Sequence, residues 1–82
     1  MKVRFLPEAE AEHLDHVAWF ERQVPGLGAR YLADVDETLA RIAEAPQRMA
    51  QLVGSGIRRA LLRRFPYAIY YAIREQAPLI IA

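Results

Sequence analysis

Residues 58–73 read RRALLRRFPYAIYYAI, and their pattern decides the fold class. From Tyr67 onward the odd positions are bulky and the even positions small or polar, so the period of two predicts a strand over 66–74. Residues 57–65 are predicted to form a strand as well. Their arginine doublets put cations on both faces, which a bulge or a twist would have to reconcile. The side chains predicted to face the helices are Tyr67, Ile69, Tyr71 and Ile73.

Two further segments complete an antiparallel meander. Residues 75–78 read EQAP and predict a turn, and residues 79–82 read LIIA and predict a last strand. A strand at the edge of a sheet leaves backbone groups unpaired, and another chain can satisfy them by adding a strand. We therefore predict a partner-binding edge formed by Leu79, Ile80 and Ile81.

The N-terminal half predicts a strand followed by two helices. Residues 2–6 alternate polar and apolar side chains, and Pro7 suits the first turn of a helix. The segment VPGLG at 24–28 ends that helix, because proline cannot continue it and glycine permits a tight reversal. The buried stripe of this helix is predicted to contain Ala11, Leu14, Val17, Ala18, Trp19 and Phe20.

A second helix is predicted over 29–45 and ends before Pro46. Its apolar residues recur at spacings of three and four, and its charged residues are predicted to face solvent. The whole chain is therefore expected to form a single α+β domain over 1–82, with a helical hairpin on one face of the sheet and the other face open. Predicted buried are Tyr31, Leu32, Val35, Leu39 and Ile42, and predicted exposed are Asp34, Glu37, Arg41 and Glu44.

Charge is distributed unevenly along the chain. Residues 1–45 carry five basic and nine acidic side chains, a balance of −4, whereas residues 46–82 carry six basic side chains and only Glu75, a balance of +5. Complementary potentials raise the rate and specificity of association. The basic half therefore predicts contact with an acidic partner.

Composition and motifs also bear on disulfides, cellular location and metal binding. The chain has no cysteine, so neither a disulfide nor a thiolate metal ligand can form. No signal peptide is recognisable, and no apolar run approaches the roughly 20 residues of a membrane helix, so we expect a cytoplasmic protein. His13 and His16 share a helix face without a third ligand and are interpreted as surface histidines, so no metal or cofactor is expected.

The open face of the sheet is the candidate site. Tyr70 stands between Ala68 and Ala72, whose small side chains leave its ring accessible for stacking on a base or an aromatic side chain. Arginines of the neighbouring strand are predicted to lie beside it, where they would bind an acidic partner, another target or phosphate. The predicted binding residues are Arg58, Arg59, Arg63, Arg64, Tyr70 and Arg74.

Several of these motifs resemble the RelE/ParE superfamily of type II toxin–antitoxin toxins, on the ParE side. The similarity lies in Pro7-Glu8-Ala9, the pair Trp19-Phe20, the run PGLG at 25–28, Ile42 with Pro46, and the block from Ile57-Arg58-Arg59 through Arg63-Arg64-Phe65-Pro66-Tyr67 to Tyr71. The resemblance implies a bacterial toxin that a cognate antitoxin neutralises.

The superfamily implies two different activities. ParE-like members inhibit DNA gyrase by binding it, whereas RelE-like members cut messenger RNA on the ribosome. RNA cleavage needs a general base near the arginines, and the block at 58–74 contains none. Members usually continue into a basic tail, which this chain does not include. We therefore expect gyrase inhibition, with messenger RNA cleavage or an inactive antitoxin-binding remnant as the alternatives.

Overall fold

The computed structural model describes residues 3–52 and 54–82, and this part contains two helices and five strands. It confirms the α+β prediction with a helical hairpin against a sheet. Lys2, the first residue of the predicted N-terminal strand, lies outside the described residues. In chain order the elements are β1 (Arg4–Phe5), α1 (Pro7–Gln23), α2 (Leu27–Glu44), β2 (Ala50–Gln51), β3 (Arg58–Leu61), β4 (Ala68–Arg74) and β5 (Ala77–Ile80).

The sheet has the strand order β1-β5-β4-β3-β2. The predicted meander is present, since β3, β4 and β5 pair antiparallel. Two short strands extend it on either side: β1 pairs parallel with β5, and β2 pairs antiparallel with β3. The sequence did not predict β2, because two residues are too few to show a period.

The turn between β4 and β5 is shorter than predicted. Only Glu75 and Gln76 form it, and both have positive φ, at 53° and 65°, as the twist of a two-residue hairpin requires. Pro78 therefore lies within β5, opposite Ile73. Bonded pairs alternate along an antiparallel ladder, and Ile81 N–H donates to Tyr70 O. The Ile73–Pro78 pair is thus a non-hydrogen-bonded one, where the missing N–H of proline costs no ladder bond.

The predicted buried stripe of α1 is wrong at several positions. Leu14 is 59% exposed and Trp19 is 49% exposed, whereas Ala9 is buried and Val17 and Phe20 are half-buried against the core. Apolar residues occur on more than one side of α1, so their spacing does not define one face. Leu6 connects β1 to α1, and its N–H donates to Ile80 O at 2.9 Å. This bond fixes the direction in which α1 leaves the sheet.

The stripe of α2 is largely as predicted. Tyr31, Val35 and Ile42 are buried, although Leu32 is 39% exposed. Asp34 was predicted to face solvent and is buried instead, with 1% of its surface exposed. On the sheet, Ile69 and Tyr71 face the helices as predicted. The buried core consists of Ala9, Tyr31, Val35, Ile42, Ala60, Leu62, Ile69, Tyr71 and Ile80.

No helix in the described part of the chain is long and apolar enough to cross a membrane.

The two helices approach closely at Gly28. Its N–H donates to Glu21 Oε1 at 3.0 Å, and a Cβ at this position would lie 2.7 Å from the backbone oxygen of Val17. Gly28→Ala should therefore lower the free energy of unfolding by about 1 to 3 kcal/mol, since the helices must separate. Chemical denaturation measures it. Ala29→Ser, at an exposed neighbouring position, should stay within about 0.5 kcal/mol, and an equally stable Gly28→Ala variant would contradict the close approach.

Candidate functional site

The two arginines of the first doublet point to opposite faces of β3. Arg58 pairs with Tyr71 and Arg59 pairs with Tyr70 in the ladder to β4. Because side chains alternate along a strand, Arg58 shares the helix side with Tyr71, and Arg59 shares the open side with Tyr70. One residue of separation therefore decides which arginine is available to another molecule.

Arg58 is a structural residue. It is half-buried, and its Nη1 donates to Gln47 O at 3.1 Å and to Met49 O at 2.7 Å. Beside it, the hydroxyl of Tyr71 donates to Pro46 O. The two side chains together hold the segment that follows α2 against the sheet. The prediction that Arg58 belongs to the open surface is therefore wrong.

Arg59 and Tyr70 border a shallow groove on the open face. Arg59 is exposed and Tyr70 is half-buried, and Leu61, on the same side of β3, is 61% exposed. Opposite Tyr70, Ile81 N–H and Ala82 N–H both point to its carbonyl oxygen, at 2.8 and 3.3 Å, which is a β-bulge. We call Arg59, Leu61 and Tyr70, together with Arg74, the open-face surface.

Arg74 stands on the same side of β4 as Tyr70, four residues along. It is exposed, and its Nη1 donates to its neighbour's carbonyl, Ile73 O, at 3.0 Å. The structure therefore keeps Arg59, Tyr70 and Arg74 on one surface, which is three of the six predicted binding residues.

The second arginine doublet has left the sheet. β3 ends at Leu61, so Arg63 and Arg64 lie in a turn that packs on α2 rather than in a strand. Their guanidinium groups share one carboxylate, with Arg63 Nη1 at 3.3 Å from Glu37 Oε1 and Arg64 Nη1 at 3.1 Å from Glu37 Oε2. The predicted strand over 57–65 is therefore too long. Because Arg63 and Arg64 lie outside β3, no bulge is needed to explain arginines on both faces of the strand. We predicted that Arg63 and Arg64 lie on the open face with Arg59 and Tyr70, and for these two residues the prediction is wrong.

Asp34 organises that turn. Its carboxylate accepts backbone N–H groups from Arg63 at 3.2 Å, Arg64 at 2.8 Å and Phe65 at 3.0 Å. Burial by itself would raise the pKa of Asp34, but these three donors and the Arg64 guanidinium outweigh it, so the pKa is held below its ordinary value of 3.8. Asp34 is thus a charged anchor inside the protein.

Sequence reasoning missed this role, although a signal was present. Asp34 and Thr38 follow Tyr31 at three and seven residues, which is the phase of the buried stripe, and both are buried. A carboxylate in that phase requires donors from the chain that packs over it, because a buried charge without partners is costly.

The lowered pKa of Asp34 predicts a pH dependence. A carboxyl group with a depressed folded pKa stabilises the protein fully above its unfolded value and loses that contribution as pH falls through the folded one. Asp34→Asn should therefore be less stable than the wild type at pH 7, and the gap should narrow below about pH 4. Urea unfolding of both proteins across this range measures it. A gap independent of pH would show that the charge of Asp34 has no part in its role.

The predicted partner edge at Leu79, Ile80 and Ile81 is not open as expected. β1 pairs with β5 through Arg4 opposite Leu79 and Phe5 opposite Ile80, and Ile80 is buried. The N-terminal strand β1 therefore takes the position beside β5 that we predicted for a partner chain. The prediction of a free edge is wrong at Leu79 and Ile80, and the described outer strands are β1 and β2.

The open-face groove is lined by an arginine, two tyrosines and apolar side chains. The groove beside Arg59 and Tyr70 has no aspartate, glutamate or histidine among its described lining residues. Nor do the described residues contain a group of three or more potential metal-ligating His, Cys, Asp or Glu side chains. An arginine and a tyrosine beside exposed leucine are the residue types that dominate protein interfaces.

A helical hairpin on a small sheet with a cationic, tyrosine-bearing open face is the arrangement expected of a RelE/ParE-like toxin. The family model described as "ParE toxin of type II toxin-antitoxin system, parDE" matches residues 3–82. The chain belongs to this family, and the family implies a cognate antitoxin as its partner. No similar protein was found among curated sequences.

Proposed function

We propose that this toxin acts by binding DNA gyrase and inhibiting it, and that the open-face surface makes the contact. The observation that supports the proposal is the pairing of Arg59 with Tyr70 on the face of the sheet opposite the helices, where Arg59 is exposed. Arginine and tyrosine are enriched among the residues that contribute most to binding energy, and exposed Leu61 adds apolar area beside them.

Binding is favoured over RNA cleavage by what surrounds the arginines. Cleavage at a ribose 2′-hydroxyl without a metal needs a general base close to the groups that stabilise the phosphate. Both histidines are on α1, which packs on the opposite side of the sheet, and Glu75 lies in the β4–β5 turn, 4.0 Å from Arg4. None of these groups lines the groove beside Arg59.

The test compares Arg59→Ala and Tyr70→Ala with Arg22→Ala, an exposed arginine on α1. Each open-face variant should raise the toxin concentration for half-inhibition of purified gyrase about 10- to 30-fold, since a central interface residue contributes about 1.4 to 2 kcal/mol. Arg22→Ala should inhibit like the wild type.

Expression in cells supplies the second readout. Gyrase-linked double-strand breaks should accumulate with the wild type and with Arg22→Ala but not with the double variant Arg59→Ala/Tyr70→Ala. Codon-associated cleavage of ribosome-bound messenger RNA, without gyrase inhibition, would instead establish the RelE-type activity. Normal growth together with normal antitoxin binding would identify an inactive remnant.

We assign contact with the antitoxin to Arg63 and Arg64. Their side chains are 60% and 66% exposed, and two cations share the single carboxylate of Glu37, so the pair retains an excess positive charge. An acidic antitoxin segment would complete the neutralisation, and charge complementarity would speed its association. Arg63→Glu with Arg64→Glu should therefore slow antitoxin association while leaving gyrase inhibition unchanged, and the reverse pattern would exclude this assignment.

A further inference from the structure

A cavity walled by aromatic rings lies between α1, α2 and the helix-facing side of the sheet. Its volume is about 90 Å³. Five rings and one carboxylate line it, among aliphatic side chains of the core; we call these six residues, with the space they enclose, the aromatic pocket. They are Phe5, Glu12, His13, His16, Tyr31 and Tyr67.

The rings are spaced so that a bound group would contact several at once. Ring centroids are 6.0 Å apart for Phe5 and His13 and 6.0 Å for His13 and Tyr31, and 6.1 Å and 6.3 Å for the contacts of His16 with Tyr31 and Tyr67. A cation is attracted to an aromatic face within about 6 Å of the centroid. A single cation in this space would therefore interact with more than one ring.

The charge around the pocket is negative. Glu12 is exposed, lines the pocket, and makes no ion pair within the described residues 3–52 and 54–82, and no described lysine or arginine lines the pocket. Burial raises the pKa of Tyr31, and the neighbouring Tyr67, Glu12 and Asp34 raise it further. Burial also lowers the pKa of His13, which favours its neutral ring at neutral pH. The walls thus combine π faces with a carboxylate.

We propose that the aromatic pocket binds a lysine or arginine side chain of a partner protein. The aliphatic stem of such a side chain would lie against the rings, and its charged end would reach Glu12. An apolar side chain would gain the ring contacts but would desolvate Glu12 without a counter-charge, which costs free energy. None of Arg59, Leu61, Tyr70 and Arg74 lines this pocket, although Tyr67 borders both the pocket and the open-face groove. The proposal does not depend on the gyrase proposal.

The test titrates the full chain with N-acetyl-lysine amide, N-acetyl-arginine amide and N-acetyl-norleucine amide at constant ionic strength. Norleucine has the four-carbon stem of lysine without its ammonium group. Amide and aromatic NMR shifts of Tyr31, His13 and Val35 should move with both cationic compounds and move much less with the neutral one. Equal shifts with all three, or none, would overturn the proposal.

Two variants localise the binding. Tyr67→Leu and Glu12→Gln should each weaken binding of the lysine compound by about threefold or more, as loss of one ring or of the carboxylate predicts. Tyr70→Leu, which changes a tyrosine on the other face of the sheet, and Glu8→Gln, at an exposed site one turn earlier on α1, should bind as the wild type does. If all four variants bind alike, the compounds occupy another surface and the proposal fails. Glu12→Gln is a conservative change at an exposed position, so it keeps the test valid if Tyr67→Leu disturbs folding.

Discussion

Asp34→Ala should lower the free energy of unfolding by about 3 to 5 kcal/mol, the largest loss that a single polar substitution should cause in this chain. The change removes the acceptor of three backbone N–H groups, from Arg63, Arg64 and Phe65. These donors are partly buried, and a buried donor left without a partner costs about 1 to 3 kcal/mol, so their summed cost should lie towards the lower end of three such losses. Small domains have total stabilities of about 5 to 15 kcal/mol, so this variant should be close to unfolding.

Equilibrium unfolding in urea, followed by the fluorescence of Trp19, measures the effect. Asp36→Ala is the matched control, because Asp36 is an exposed aspartate two residues along the same helix and should change stability by no more than about 0.5 kcal/mol. Native-state hydrogen exchange should also show faster exchange of the N–H groups of residues 63–65 in the Asp34 variant. A variant as stable as the control would show that water replaces the carboxylate without loss.

Arg58→Ala should destabilise the protein by about 2 kcal/mol, whereas Arg59→Ala should change its stability by no more than about 0.5 kcal/mol. Arg58 donates two charge-assisted hydrogen bonds to the carbonyls of Gln47 and Met49, and its removal leaves these acceptors and the hydroxyl contact of Tyr71 less well supported. The side chain of Arg59 makes no hydrogen bond within the described residues and is exposed.

The two neighbouring variants also separate stability from binding. Under the proposed function, Arg59→Ala should fold normally and inhibit gyrase about 10- to 30-fold more weakly. Arg58→Ala should lose activity only in proportion to its unfolded fraction. Thermal unfolding and half-inhibition measured on the same preparations distinguish these outcomes. An Arg58→Ala protein that is fully folded and inactive would show that Arg58 contributes to binding.

Several features followed from the sequence because they depend on local periodicity and backbone chemistry. Pro7 begins α1, Gly26 lies between the helices, and α2 ends before Pro46 as predicted, although α2 begins at Leu27 and so includes Gly28. The alternation around Tyr71 placed Ile69 and Tyr71 towards the helices. Each of these features concerns residues within a few positions of one another, so the sequence pattern contains the necessary information.

Other features depended on contacts between distant parts of the chain. Asp34 meets its three donors 29 to 31 residues away, and no local pattern predicts which segment will supply them. The end of β3 at Leu61 follows from that contact, because the backbone of residues 63–65 bonds to a carboxylate instead of a neighbouring strand. The pairing of β1 with β5 joins opposite ends of the chain in the same way.

The sequence by itself determined the helices, the main strands, the α+β class and the abundance of arginine in the second half. Only the tertiary structure decided the surroundings of each arginine: Arg59 and Arg74 are exposed on the open face, Arg58 is bound to carbonyls, and Arg63 and Arg64 are paired with Glu37 of α2. The physical reason is that packing between distant segments decides which carbonyls and carboxylates lie beside each guanidinium group, and therefore how much of that group stays exposed. Arg58 is half-buried against two carbonyls, whereas Arg59 and Arg74 are exposed.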